Sequence, residues 1–511
     1  MKMKQYKLFL LFLIIPLISN ASDQNSTDKQ KLNNLEIYFQ KALEQWNVPG
    51  MAIGIVKDNE LIFAKGFGVK DINGDEKINE YTNFAIASNT KAFTAAGIMI
   101  LVEEGKLSLN DKVQDHLPWF ELYDSYVSEH MTIRDLLCHR SGLVTFSGDL
   151  IWYLTDHSPE EIVRRARFLK PVYGFRAGYG YSNIMFITAG LILEKVSGQS
   201  LEEFMKERYF KPLKMDRTIM STNEIESTGN FACPHIDSDG EIKKIPYVNW
   251  DNGKAMGGII SNVVDVSKWL KLQLNQGMLN GDTIFTTRSQ QEMWTPQISR
   301  SVSDYSKELW PSTHFKGYGL GWGLFDYLGR KIIMHTGGYD GTISATILVP
   351  EENLGIVILT NKITSLYSPI MYKTLDAFLG GEDKDWATII LDRNKQRNEN
   401  KKEIVEENKE IMPALALDEY TGFYSGNVYG GVNITIEEGK LYIRFEHTKD
   451  FHSSLSHIDA NTFEIKFPDA PSLPKGTVSF IVDENKKVSS LVVDIPNPDF
   501  DFTELDLIKQ K

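Results

Sequence analysis

Three short groups in this 511-residue chain could do chemistry together. The first is Ser88-Asn89-Thr90-Lys91. On a helix, side chains three apart face the same way, so a serine hydroxyl and a lysine amine become neighbours. A serine at a helix start is often only a cap, completed by Glu or Gln at the third helical position. Here that position is Lys91, whose charge opposes the positive end of the helix dipole. Ala92, Phe93, Ala95, Ala96, Ile98, Met99 and Ile100 are apolar almost all round, which predicts a buried helix from Ser88 to about Glu104. Desolvation and the dipole both disfavour charge on a lysine placed there. A neutral lysine beside a serine is a general base beside a nucleophile. The second group, Tyr181-Ser182-Asn183, sits among Gly178 and Gly180, in a loop that can project polar side chains into a cleft or simply turn the chain. The third, His335-Thr336-Gly337-Gly338, ends the apolar run Ile332-Ile333-Met334. Its glycines permit close backbone approach of a ligand, and would equally serve a hairpin turn with a surface histidine.

The elements that must hold these groups come from both ends of the chain. Residues 32–46 have helical periodicity, and Met51–Lys57 and Leu61–Gly68 alternate about Asp58-Asn59-Glu60 as a β-hairpin. Residues 107–250 read as helical patterns broken by Gly, Pro and Asn. Strands return at Gly317–Phe325, Lys331–His335, Gly341–Val349 and Leu354–Thr360, followed by a helix near Ser368–Leu379. One sheet built from distant parts of the chain, with an inserted helical region, fits this order. Residues 392–410 are nearly all polar or charged, a solvated helix or linker. Beyond Tyr420 short alternating segments recur at Val432–Ile436, Leu441–Phe445, Thr462–Phe467, Thr477–Val482 and Ser489–Ile495, as in a small barrel or sandwich. The expected division is therefore a leader at 1–21, a catalytic domain at 22–385, a charged linker at 386–412 and an all-β domain at 413–511.

Composition bounds the partners. The chain is 42% hydrophobic and carries a formal charge of −13, which suits a globular protein and lacks the basic face a nucleic-acid binder needs. Lys2, Lys4 and Lys7 precede an apolar run from Leu8 to Ile18 and then Ser19-Asn20-Ala21, the three parts of a secretory signal peptide with cleavage after Ala21. The run is short for a membrane span, so a periplasmic or secreted protein with no stable membrane span is expected. Cys138 and Cys233 are the only cysteines and are too few for a disulfide framework; whether they pair is open. There is no C-x-x-C and no H-E-x-x-H, so neither a metal nor another cofactor is expected.

Taken in order, S-x-x-K, Y-x-N and H-T-G resemble the penicillin-binding-protein-like serine hydrolases, in the branch that holds class C β-lactamases, D-alanyl-D-alanine carboxypeptidases, D-aminopeptidases and related esterases. Val48-Pro49-Gly50-Met51, Lys65-Gly66-Phe67-Gly68, the stretch from Thr132 to Leu143, Gly257-Gly258-Ile259-Ile260-Ser261 and Tyr318-Gly319-Leu320-Gly321-Trp322-Gly323 are also similar to that family, so the resemblance spans about 32–380. The tail resembles a lipocalin-like β-domain. The resemblance implies an α/β (α+β) β-lactamase/transpeptidase-like fold, with an antiparallel sheet flanked by helices, an all-helical region and a small all-β barrel-like domain. It implies that Ser88 forms an acyl-enzyme and that Lys91 and Tyr181 move its proton. It further implies that the N–H groups of Ser88 and Gly338 form the oxyanion hole, that Asn183 binds a substrate amide carbonyl, and that His335, Thr336 and Gly337 face the acyl or carboxylate end. His335 stands where typical class C β-lactamases carry lysine, and its ring is often neutral near pH 7. That demotes β-lactam hydrolysis and leaves three expected uses: a peptidase or amidase on D-amino-acid peptides such as peptidoglycan fragments, an esterase or weak β-lactamase, or a penicillin-binding sensor without turnover. The substrate is thus a small molecule or peptide, such as cell-wall peptides or β-lactams, and the oligomeric state is left open. For the β-domain, a passive stabilising module and a lid over the cleft are the two readings.

Overall fold

The computed structural model describes residues 20–238, 240–399 and 413–511. The expected leader, but for Asn20 and Ala21, and residues 400–412 of the expected linker fall outside these residues. Eight strands form the main sheet: β1 (Gly50–Lys57), β2 (Glu60–Gly68), β3 (Ile298–Arg300), β4 (Lys316–Tyr318), β5 (Gly323–Tyr327), β6 (Arg330–Tyr339), β7 (Thr342–Val349) and β8 (Leu354–Thr360). Their order is β2-β1-β8-β7-β6-β5-β4-β3, and every neighbouring pair is antiparallel. β1 meets β8 with Ile53 opposite Ile358, so the N-terminal hairpin completes a sheet whose remaining strands lie more than 200 residues later.

Alternation along these strands feeds two cores. Ile53, Ile55, Ile356 and Ile358 pack with α1 (Asn20–Gln45), α5 (Tyr367–Leu379) and α6 (Trp386–Glu399). Ala52, Val357 and Leu359 point the other way, toward α2 (Thr90–Glu103), α3 (Asn183–Ser197) and α4 (Val263–Leu274). Burial of both faces explains why β8 is apolar at nearly every position instead of alternating with polar residues. On α2 every residue from Thr90 to Leu101 is buried, including Lys91. Phe93 stacks on Trp269 with ring centroids 3.9 Å apart, fixing α2 against α4.

Three local expectations change. The stretch Gly317–Phe325 is not one strand but the β4–β5 hairpin, whose turn carries Leu320 and Trp322 into the core; a buried turn keeps the apolar pattern running where a solvated one would break it. The expected linker begins too early: Trp386, Ala387 and Ile390 are buried, Trp386 Nε1 donates to Asp376 Oδ2 at 2.7 Å, and Trp46 Nε1 donates to the Ala387 carbonyl at 3.1 Å. α6 therefore packs as part of the domain built on the main sheet, and polar residues later in that helix masked its apolar start. Ser88 does not open α2 but sits in a 3₁₀ turn, Ala87–Asn89, ahead of it. Both cysteines are free; Cys138 is buried, and burial pushes its thiol up to about 12.

The C-terminal domain is a nine-stranded antiparallel sheet curled into a nearly closed barrel. Its edge strands, His452–Ser454 and Ser456–Asp459, follow one another in the chain with only Leu455 between. The strands Gly430–Glu437, Lys440–Phe445, Thr462–Ile465, Gly476–Val482 and Val488–Asp494 lie within a few residues of the expected ones. The barrel is seated on the helical region. Tyr153 packs against Phe500 and Phe451 at 4.1 and 6.1 Å, His447 Nδ1 lies 2.9 Å from Asp156 Oδ1, and Glu504 accepts hydrogen bonds from Ser147 Oγ (2.6 Å) and the Gly148 N–H (2.7 Å).

Candidate active site

Ser88 is held by contacts on both sides. Ala87, just before it, adopts a left-handed conformation (φ 45°), a strained choice for a residue with a side chain. Asn89, just after it, donates to Ser344 Oγ at 2.8 Å and accepts from Thr346 Oγ1 at 2.5 Å, tying the turn to β7. Ser344 Oγ in turn donates to the Ile86 carbonyl at 2.7 Å. From the opposite side β6 presses in at Gly337, where a Cβ would lie 2.2 Å from the Ile86 carbonyl and 2.9 Å from the Ser88 nitrogen. Only glycine allows that approach. At Gly338 a Cβ would make nothing closer than an ordinary 3.6 Å contact with Ile343.

Lys91 Nζ lies 3.0 Å from Ser88 Oγ, 2.7 Å from Asn183 Oδ1 and 2.8 Å from the Met256 carbonyl. Burial holds its pKa well below the usual lysine value and so favours the neutral amine, an effect the Asp149 charge opposes. The bookkeeping then has one solution. Asn183 Oδ1 and the Met256 carbonyl can only accept, so they take the two N–H bonds of the neutral amine. Its lone pair is left for the Ser88 hydroxyl. Tyr181 lies close enough to Ser88 for the two side chains to act on one another, and burial keeps its phenol protonated, with a pKa raised well above 10. Asn183 Nδ2 donates to Asp149 Oδ2 at 2.6 Å, and burial pushes the Asp149 carboxyl up to about 8. One N–H of Asn183 is thus engaged by Asp149.

His335 is neutral: burial, with Lys91 nearby, pushes it down to about 3. Nδ1 is 2.6 Å from the Thr336 carbonyl, an acceptor only, so Nδ1 carries the proton and Nε2 accepts from the Tyr318 hydroxyl at 2.8 Å. Both ring nitrogens are therefore occupied, and the ring offers a substrate no charge. Cations stand nearby instead. Arg300 lies over the Tyr179 ring at 4.4 Å and its charge reaches His335, and Lys316 on β4 lines the same cleft.

These groups line a cavity of about 670 Å³, within the range of small-molecule and short-peptide sites. Ser88, Tyr181, Asn183, His335, Thr336 and Gly338 all face it, while Lys91 lies beneath Ser88 and Gly337 is buried behind the turn that carries Ser88. Sequence reasoning missed several residues. Asp149, Arg300 and Lys316 carry no motif of their own. Ser472, Asn497, Asp499 and Phe500 come from the barrel, so its loops form part of the cavity wall. His139 was visible only as part of a resembling stretch. Its ring packs 4.2 Å from that of Tyr181, and its Nδ1 accepts the Ser182 N–H at 3.1 Å, which orients the Tyr181 loop.

Comparison with known proteins gives the family and the fold. The profile of the Beta-lactamase family matches residues 35–370, and a domain of unknown function (DUF3471) matches 406–509. The chain is 28% identical over 486 residues to Unguisins hydrolase ungD of Aspergillus violaceofuscus, covering 87% of this chain and 84% of that protein. It is 27% identical over 375 residues to Protein flp of Staphylococcus aureus strain MW2, covering 71% and 70%. The octameric penicillin-binding protein homologue from Pyrococcus abyssi superposes with a TM-score of 0.62 at 24% identity, over 94% of this chain and all of that one, and so shares its fold. The chain belongs to the Beta-lactamase family, the serine hydrolases of the β-lactamase and penicillin-binding-protein type.

Proposed function

We propose that this protein is an exported serine hydrolase that acylates Ser88 and cleaves peptides containing D-amino acids, such as peptidoglycan fragments. The observation that carries the chemistry is the buried Lys91 Nζ 3.0 Å from Ser88 Oγ, where burial favours a neutral amine whose lone pair can take the hydroxyl proton. Lys91 takes the Ser88 proton as the oxygen attacks the carbonyl. The N–H groups of Ser88 and Gly338 hold the developing oxyanion, a kind of donor whose loss costs about 10²–10³-fold in rate. Tyr181 gives its proton to the departing amine, leaving a phenolate beside protonated Lys91. In the second half, the phenolate takes a proton from water as it attacks the acyl-enzyme, and Lys91 returns its proton to Ser88. Every group ends as it began.

The substrate class rests on several supports. The basic-apolar leader would bring the protein to the cell wall. A relative is named for hydrolysing unguisins. Arg300 and Lys316 supply cations for a peptide carboxylate at the end where His335 has none. An esterase is the second reading, favoured by the neutral His335, because esters need no such cation. The deciding experiment incubates the protein with a fluorophosphonate, D-Ala-D-Ala peptides, p-nitrophenyl esters and a chromogenic cephalosporin, and reads intact mass and turnover. Ser88→Ala is expected to abolish labelling and turnover together. Labelling at another residue, with full activity in that variant, would remove the mechanism. A long-lived adduct on Ser88 with no turnover of any substrate would instead favour a sensor.

A further inference from the structure

One wall of the cavity is unlike the rest. Asp340, at the end of β6, accepts from the Tyr153 hydroxyl at 2.7 Å, and that hydroxyl lies 3.1 Å from Ser472 of the barrel. Asp499, on an exposed barrel loop, stands close enough for its charge to act on Asp149 and Tyr181, and that of Asp340 acts on Asp499. All three carboxyls line the cavity that holds Ser88. Among the described residues none of the three is ion-paired with a lysine or arginine, although Lys91 acts on Asp149 from a distance. Burial raises the pKa of Asp149 and Asp340, and the protein crowding the cavity side of Asp499, with the Asp340 charge, raises that of Asp499, the mark of carboxyls lacking a counter-charge.

Two further observations point to what is missing. Asp149 is 2% exposed, yet its Oδ1 has no hydrogen-bond partner, and the Trp152 indole N–H beside it falls short of bonding geometry. The wall is also aromatic. Trp152 and Trp250 meet edge to face at 5.0 Å, Trp250 and Tyr339 lie 4.4 Å apart, and Trp152 and Phe500 lie 6.1 Å apart; all four line the cavity. Carboxylates interleaved with aromatic faces are the chemistry that recognises an ammonium group.

We infer that Asp149, Asp340 and Asp499, with Trp152, Trp250 and Phe500, form a subsite for a protonated amine of the substrate, completed by the barrel domain. This rests on the reading of the cavity as the substrate site and narrows its substrate to amine-bearing molecules. The amine could be a peptide's terminus or a side-chain amine, both of which present the same cation. The subsite gives the barrel a part in specificity, through a loop that carries one of the three carboxyls.

The test is binding to Ser88→Ala, which needs no turnover. Calorimetry would compare D-alanyl peptide amides of one, two and three residues, each with a free amino terminus and as the N-acetyl twin. An N-acetyl-D-lysyl amide, set against its Nε-acetyl form, separates a side-chain amine from a terminal one. At least one free amine is expected to bind ten times more tightly than its acetylated twin, and adding Asp499→Asn is expected to remove most of that preference. Equal affinity in every pair, no binding by any member, or a preference that survives Asp499→Asn would overturn the subsite. Comparison of the twins is decisive even if the Asp499 variant fails to fold. Hydrolysis of the same peptides by the native protein is read separately, so failure of the peptidase reading and failure of the subsite give different results.

Discussion

At the scale of single residues, the site turns on where a proton sits. In the proposed mechanism Lys91 is a base only while neutral, and burial lowers its pKa, so kcat/KM should rise with pH through that lowered value and then level off. Tyr181 is shifted the other way, which places any alkaline loss from its ionisation above pH 10. A pH profile that falls between 7 and 9 in step with phenol ionisation would contradict this assignment. Lys91→Arg keeps a charge where the lone pair must be, and should cost about 10²–10⁴-fold in the rate of Ser88 acylation, read by stopped-flow with an activated ester. The paired glycines give a sharper contrast. Gly337→Ala would drive a Cβ into the Ile86 carbonyl and the Ser88 nitrogen, whereas Gly338→Ala meets only Ile343 at 3.6 Å. The first should lose acylation and about 1–3 kcal/mol of stability, and the second should retain the fold.

At the scale of elements, the nucleophile turn is positioned by a contact between a helix start and a strand. Asn89 joins α2 to β7 through Ser344 and Thr346, and all three side chains are buried. Asn89→Ala would leave the Thr346 hydroxyl and Ser344 Oγ each short of a partner, a loss of about 1–3 kcal/mol per stranded group. Urea unfolding should show a lower midpoint at unchanged slope, and acylation of Ser88 should slow because the turn is no longer anchored. A midpoint equal to that of the native protein would mean that the Gly337 contact alone holds the turn.

At the scale of the whole molecule, the barrel and Lys91 are connected by a short series of bonds. Glu504 of the barrel grips Ser147 and Gly148; the next residue, Asp149, holds Asn183, and Asn183 accepts from Lys91. Burial raises the pKa of Glu504 above its unfolded value near 4.3. A group raised on folding adds stability below its unfolded pKa and loses that contribution as pH climbs through the folded one. Acidification should therefore tighten docking of the barrel, and Glu504→Gln should flatten the part of the Tm–pH curve above pH 4. A variant curve parallel to the native one would show that Glu504 does not titrate in this interface.

The order and identity of Ser88, Lys91, Tyr181, Asn183 and His335-Thr336-Gly337-Gly338 were legible in the sequence, because short motifs encode local geometry: a turn, a helix face, a strand end. The main strands and the barrel's alternation were legible for the same reason, since a period of two survives wherever one face is buried. The β4–β5 hairpin and the start of α6 were not, because tertiary burial makes a turn apolar and hides an apolar turn within a polar helix. The neutrality of His335 follows from burial and from Tyr318 and Thr336 occupying its nitrogens, neither of which spacing reveals. Asp149, Asp340 and Asp499 are ordinary acids along the chain, far apart in sequence and drawn from two domains. The sequence alone determined the identity and order of the motifs that line the site. Only the fold brought a barrel loop to the cavity, because contacts between residues so distant in sequence exist only once both domains have closed around the space between them.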